Sequence, residues 1–138
     1  MKFRYEDLEI WQIAIRLVKV VYTILKKYPD DEKFGLISQG RRAVVSIALQ
    51  VSEGSGRKTN KDFSLFINRA LASLQEVDGV LKIGIALEYI TYEDYEQTEP
   101  LLKEEYYKLI SYDKWLNQNP GKYRGYSAKI AKGRDSIN

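Results

Sequence analysis

Gln39-Gly40-Arg41-Arg42-Ala43-Val44-Val45-Ser46-Ile47-Ala48-Leu49-Gln50-Val51-Ser52-Glu53-Gly54-Ser55-Gly56-Arg57 reads as a helix of small and β-branched residues. Gly54 and Gly56 fall where the helix should stop, because glycine takes the left-handed conformation that caps a C-terminus without Cβ strain. At about 100° per residue, Arg42, Ser46 and Glu53 lie near one face, so an otherwise apolar helix carries one polar line. Such a helix is mostly buried, and its few polar groups need partners.

The remaining segments fit around it. Leu8 to Tyr28 predicts a first helix with two apolar stripes at 3–4 spacing. Trp11, Ile15, Val18, Tyr22 and Leu25 form one, which is expected to face a core. Ile10, Ile13, Leu17, Val20 and Ile24 form the other. Together with Ala14 and Val21 they cover an arc of roughly 220°, whereas one core needs little more than ~100°. The surplus predicts burial on two sides, with the second stripe as an oligomer interface.

Phe34 to Glu53 is the expected second helix, joined by the charged connector 28–33. Thr59-Asn60-Lys61-Asp62 supplies an N-cap for a third helix running to about Tyr89. Gly79 and Gly84 within it point to close packing. Thr91 caps a fourth helix ending near Asn117, and Pro100 inside it predicts a bend or irregular first turns in preference to a break. The pattern predicts an all-α fold, an antiparallel up-down-up-down four-helix bundle over residues 1–118. Residues 119–138, after Asn119-Pro120-Gly121, read as a flexible basic C-terminal tail.

Composition narrows the chemistry. The 138 residues fit one domain, 44% apolar and 30% charged. There is no histidine and no cysteine, which excludes zinc sites, Ser-His and Cys-His nucleophile pairs, and Glu-x-x-His di-metal sites. No metal or cofactor is expected, and the reading is not an enzyme. Glu53 and Glu76 as an acid/base pair have no supporting feature. Arg4, Glu6, Asp7 and Glu9 precede the first apolar run, and Arg16 and Lys19 interrupt it, so neither a signal peptide nor a membrane span is expected. A cytoplasmic location follows as an expectation.

Charge is uneven. Residues 1–118 hold 17 Lys/Arg against 18 Asp/Glu, whereas 119–138 hold five cations against Asp135. Lys122, Arg124, Lys129 and Lys132 alternate there with Tyr123 and Tyr126, a pairing in which cations hold phosphates and aromatic rings stack on unpaired bases. A second cluster, Arg57, Lys58 and Lys61, sits at the start of the third helix, where free N–H groups and the dipole favour anions. The loop around it lacks the Walker A spacing. Both clusters are candidate nucleic-acid-binding residues. Arg42, Ser46 and Glu53, facing Arg69, Ser73 and Glu76 on the third helix, form a candidate structural seam of salt bridges and hydrogen bonds between helices or subunits, in preference to a groove in which a guanidinium reads phosphate or carboxylate.

Phe3, Leu8-Glu9-Ile10-Trp11-Gln12, Tyr28-Pro29, Gln39-Gly40-Arg41-Arg42-Ala43, Ser46-Ile47, Glu53-Gly54-Ser55-Gly56-Arg57 and Ala72-Ser73-Leu74-Gln75-Glu76 resemble the 23S ribosomal RNA intervening-sequence protein family. The resemblance spans about residues 3–116; Gln50 stands where that family commonly has asparagine. It implies an antiparallel four-helix bundle assembled into a ring-shaped homopentamer. It is similar also to accessory proteins of diversity-generating retroelements, which implies RNA, a ribonucleoprotein or a reverse transcriptase as partners. The expected function is a non-enzymatic oligomeric protein that binds RNA or a ribonucleoprotein, or else a protein-interaction scaffold without direct RNA contact.

Overall fold

The computed structural model describes residues 1–121, and these are all-α, with no strand among them. Four long helices, α1 (Glu9–Leu25), α2 (Leu36–Ser55), α3 (Asn60–Ala86) and α5 (Glu99–Gln118), are joined by short connections. A five-residue helix, α4 (Tyr92–Glu96), and two 3-10 turns, Arg4–Asp7 and Asp30–Glu32, complete the chain. Each long helix packs on two others: α1 on α2 and α5, and α3 on α2 and α5. The core lies between them.

Local chemistry sets several helix ends. The Thr59 hydroxyl accepts the Asp62 N–H at 3.1 Å and starts α3. Thr91 and Asp94 exchange hydrogen bonds of 3.1 and 2.9 Å, a reciprocal capping box that starts α4. Asp94 also pairs with Lys27, which with the cap holds its carboxyl below the usual range and ties α4 to the end of α1. Removing the first cap with Thr59→Ala is expected to cost about 1 kcal/mol in a urea melt. An unchanged midpoint would show that the Lys61–Pro120 backbone bond holds this end by itself.

The fourth predicted helix is two. The chain turns at Thr98, which is fully buried, and restarts at Glu99 with Pro100 in the first turn of α5. A proline there gives up an N–H that the helix would leave unpaired anyway, so a restart is easier than a bend.

The stripe on α1 is also corrected. Ile10, Ile13, Leu17 and Ile24 are buried inside this single chain, and Val20 packs against the same core. A side chain already enclosed by its own fold has no surface left for another subunit. Of the other stripe Leu25 is buried as well, whereas Trp11, Ile15, Val18 and Tyr22, like Val20, are half-buried.

The glycine expectation changes as well. α2 does stop at Ser55 with Gly56 as its C-cap, but among the described residues no glycine has positive φ, and Gly54 lies within α2. A Cβ on Gly54 would come within 2.6 Å of the Phe63 ring and 2.7 Å of Phe66 Cβ, so its role is close approach of α2 to α3. Gly84 is more crowded still, with the Tyr28 oxygen 2.0 Å from a built Cβ, whereas Gly79 has nothing within 4 Å and needs no glycine for packing.

Candidate nucleic-acid interface

Because Gly54 lets the helices approach, polar side chains of α2 and α3 meet along their seam. Ser73 donates to the Ser46 hydroxyl at 2.9 Å, and Gln39 donates to the Glu76 carboxylate at 3.0 Å. A cleft of about 510 Å³ opens over them, lined by Ser38, Gln39, Arg42, Ser46, Ser73 and Glu76. The expected ion pairs are absent: among the described residues, Arg42, Glu53, Arg69 and Glu76 make no salt bridge. Hydroxyls and an amide hold the seam, and its charges stay at the solvent edge.

Arg69 instead lies over the Phe66 ring at 4.9 Å, and Arg57 lies over the same ring at 5.4 Å. Phe66 therefore fixes two guanidinium groups that sequence reasoning had placed in separate sites. Its spacing to Arg69 is a visible i, i+3 signal. The arrival of Arg57 across the α2–α3 turn is not, since it needs the turn's geometry. A stacked guanidinium keeps its in-plane donors free for phosphate.

Lys58 and Lys61 are exposed beside this pair. Two of the first helix N–H groups, however, are occupied: Asp62 N–H by Thr59, and Lys61 N–H by the Pro120 carbonyl at 3.2 Å. Little of the α3 start is left open as a backbone anion site, so the attraction comes mainly from side chains. Asn60 also donates to the Asn119 carbonyl at 2.8 Å, which docks the end of α5 against this turn. The described chain thus ends beside Arg57, Lys58 and Lys61. Lys122, Arg124, Lys129 and Lys132 lie outside the described residues.

Two buried polar groups were not anticipated. Glu105 on α5 is fully buried, and neither carboxyl oxygen has a hydrogen-bond partner. Burial, reinforced by Glu104, pushes its pKa up to about 9 against the opposing pull of Arg16 and Lys108. Gln50, at the position where the family commonly has asparagine, has a buried, unpartnered Oε1. No helix among the described residues is long and apolar enough to cross a membrane.

Four packed helices with a basic turn and a polar seam define a small all-helical protein, with no feature yet that names a reaction. The sequence profile described as 23S rRNA-intervening sequence protein matches residues 6–111, and the chain belongs to that family. Among solved structures it is similar to a crystal structure of a protein with unknown function from the S23 ribosomal protein family of Bacteroides thetaiotaomicron VPI-5482. The identity is 26% and the TM-score 0.69, over 76% of this chain and 98% of that one. No curated protein matches.

Proposed function

We propose that this protein is a non-enzymatic, cytoplasmic, antiparallel up-down-up-down helical bundle that assembles into a ring-shaped homopentamer and binds RNA or a ribonucleoprotein. Reverse running of α2 and α3 is supported by their pairings: Gln39 with Glu76, Ser46 with Ser73, and Gly54 with Phe63. Lys108 with Glu9 and Tyr112 with Arg4 support the same for α1 and α5.

The observation that carries RNA binding is the Arg57–Phe66–Arg69 stack with exposed Lys58 and Lys61, none of these cations in an ion pair among the described residues. Repeated around a ring, it forms a basic rim, and the cationic segment after Gly121 adds to it in each copy. The competing reading is a scaffold or accessory subunit, for example of a reverse transcriptase. It is favoured by the near-neutral balance of residues 1–118.

Fluorescence anisotropy of a labelled structured RNA, across a salt series, separates the two. The full chain is expected to bind with log K falling linearly against log salt. Arg57→Ser/Lys58→Ser/Lys61→Ser is expected to reduce that slope by about 2 to 3 with an unchanged melting temperature, and a chain ending at Asn119 to reduce it further. If the full chain fails to bind at low salt, the RNA reading falls and the scaffold stands.

A further inference from the structure

We infer that one copy docks head to tail on the next: Phe34 on the α1–α2 face of one seats in the tyrosine-lined groove formed by α3, α4 and α5 of its neighbour. This rests on the ring reading and names the surfaces that make the ring. Since α1 packs on α2 and α5, and α3 on α2 and α5, the outer α1–α2 face and the outer α3–α5 face lie on opposite sides of one molecule. Two different surfaces in contact make a heterologous interface, the kind that closes into a ring when its rotation allows.

The α1–α2 face has an anchor without a socket. Phe34 is 91% exposed, just before α2, on the wall of a groove of about 430 Å³ that Tyr22, Arg41 and Val45 also line. Leu49 is exposed further along α2, and Ile15, Val18 and Tyr22 are half-buried beside it on α1. The cations here are Lys19, Lys26, Lys33 and Arg41, all exposed and none in an ion pair among the described residues. Arg41 is held over the Tyr22 ring at 5.2 Å.

The α3–α5 face has a socket without an occupant. A groove of about 520 Å³ is lined by Leu74, Leu102, Tyr92, Tyr95, Tyr106 and Tyr107, with Tyr92 54% and Tyr107 64% exposed. Its inner carboxylates are neutralised, Asp78 by Lys82 at 2.8 Å and Glu99 by Lys103 at 2.9 Å. The outer ones, Glu88, Glu93, Glu96 and Glu104, are exposed and make no ion pair among the described residues. Residues 88–107 hold seven Asp/Glu against the single Lys103.

The occupant is therefore a second copy. Lys33, Arg41 and Arg42 line the anchor's groove and make no ion pair among the described residues, with Asp30 and Asp31 in the connector before them; the socket lies on the acidic segment 88–107, and both are on the same chain. Buried aromatic anchors supply most of the energy of such contacts, and the charges select partner and register.

The test uses the full chain in size-exclusion chromatography with light scattering, with far-UV dichroism to confirm folding. The wild type is expected to run as an oligomer. Phe34→Glu, which removes the anchor, and Tyr92→Glu/Tyr107→Glu, which spoils the socket, are each expected to run as folded monomers. Mixed one to one, they retain a single anchor–socket pair and are expected to give a dimer that grows no further. A Phe34→Glu protein that keeps the wild-type mass overturns this docking while leaving the ring. Two monomeric variants that stay monomeric when mixed also overturn it. A monomeric wild type removes the ring reading itself.

Discussion

Replacing Glu105 with glutamine should flatten the pH dependence of this protein's stability. In the folded chain this carboxyl is fully buried on α5, between the buried Leu102 and Leu109, with both oxygens unpartnered. Withdrawal from water disfavours its charged form and holds the proton up to about 9, against an ordinary 4.5. The unfolded chain releases that proton near the ordinary value. Between those two pH values the folded state binds more protons, so the stabilisation is complete below 4.5 and is lost as pH rises toward 9. Across that interval the loss is on the order of 5 kcal/mol, a large share of the 5–15 kcal/mol typical of a domain. Urea midpoints at pH 5, 7 and 9 check it. The wild type should weaken steeply while Glu105→Gln changes little, and Glu105→Leu should exceed both at pH 9. Parallel pH profiles for the wild type and Glu105→Gln would refute the burial argument.

Gly84→Ala is expected to be the most damaging single methyl addition in the chain. The new Cβ would lie 2.0 Å from the Tyr28 oxygen and 2.5 Å from its ring carbon. That ring is buried, and its hydroxyl donates to the Val80 carbonyl at 2.8 Å. Burial and the nearby Glu32 raise the phenol to about 12, so it remains a donor at neutral pH. Alanine forces the ring out, breaks the Tyr28 hydroxyl's bond to Val80 and disturbs the contact with Tyr89 at 5.4 Å between centroids. Overpacking and the lost buried hydrogen bond exceed the roughly 1 kcal/mol of helix propensity that alanine contributes. The expected net loss is about 3 kcal/mol, with Tm lowered on the order of 10 °C. Gly79→Ala is the control: nothing lies within 4 Å of its Cβ, so it should stabilise by about 0.5–1 kcal/mol. Equal melting temperatures for the two variants would show that Tyr28 adapts at no cost. A Tyr28→Leu background, which removes the obstructing hydroxyl, should erase most of the Gly84→Ala penalty.

Much of this fold was legible because its signals are local. Thr59 and Thr91 marked helix starts through side chains that reach their own backbone three residues on, and both caps form. The 3–4 spacing placed α1, α2 and α3 to within a few residues. The Ser46–Ser73 meeting was also visible, since each polar line follows from spacing and the helices are adjacent. Its chemistry was not. Arg69, expected in the seam with the glutamates, lies over Phe66 with Arg57, where an aromatic face retains a cation without removing it from water.

The amino-acid pattern alone determined an all-helical chain, its caps, its family and a chemistry without histidine or cysteine, because each depends on residue type or on neighbours within one turn. Tertiary structure decided which stripe of α1 is core. Ile10, Ile13, Leu17 and Ile24 are no more apolar than Trp11, Ile15, Val18 and Tyr22 as a pattern; only the positions of α2 and α5 enclose the first set and leave the second half open. The same holds for Glu105, whose surroundings on α5 read as an ordinary charged helix until the packed helices bury it. Periodicity reports an angle around one axis, whereas burial depends on what stands opposite.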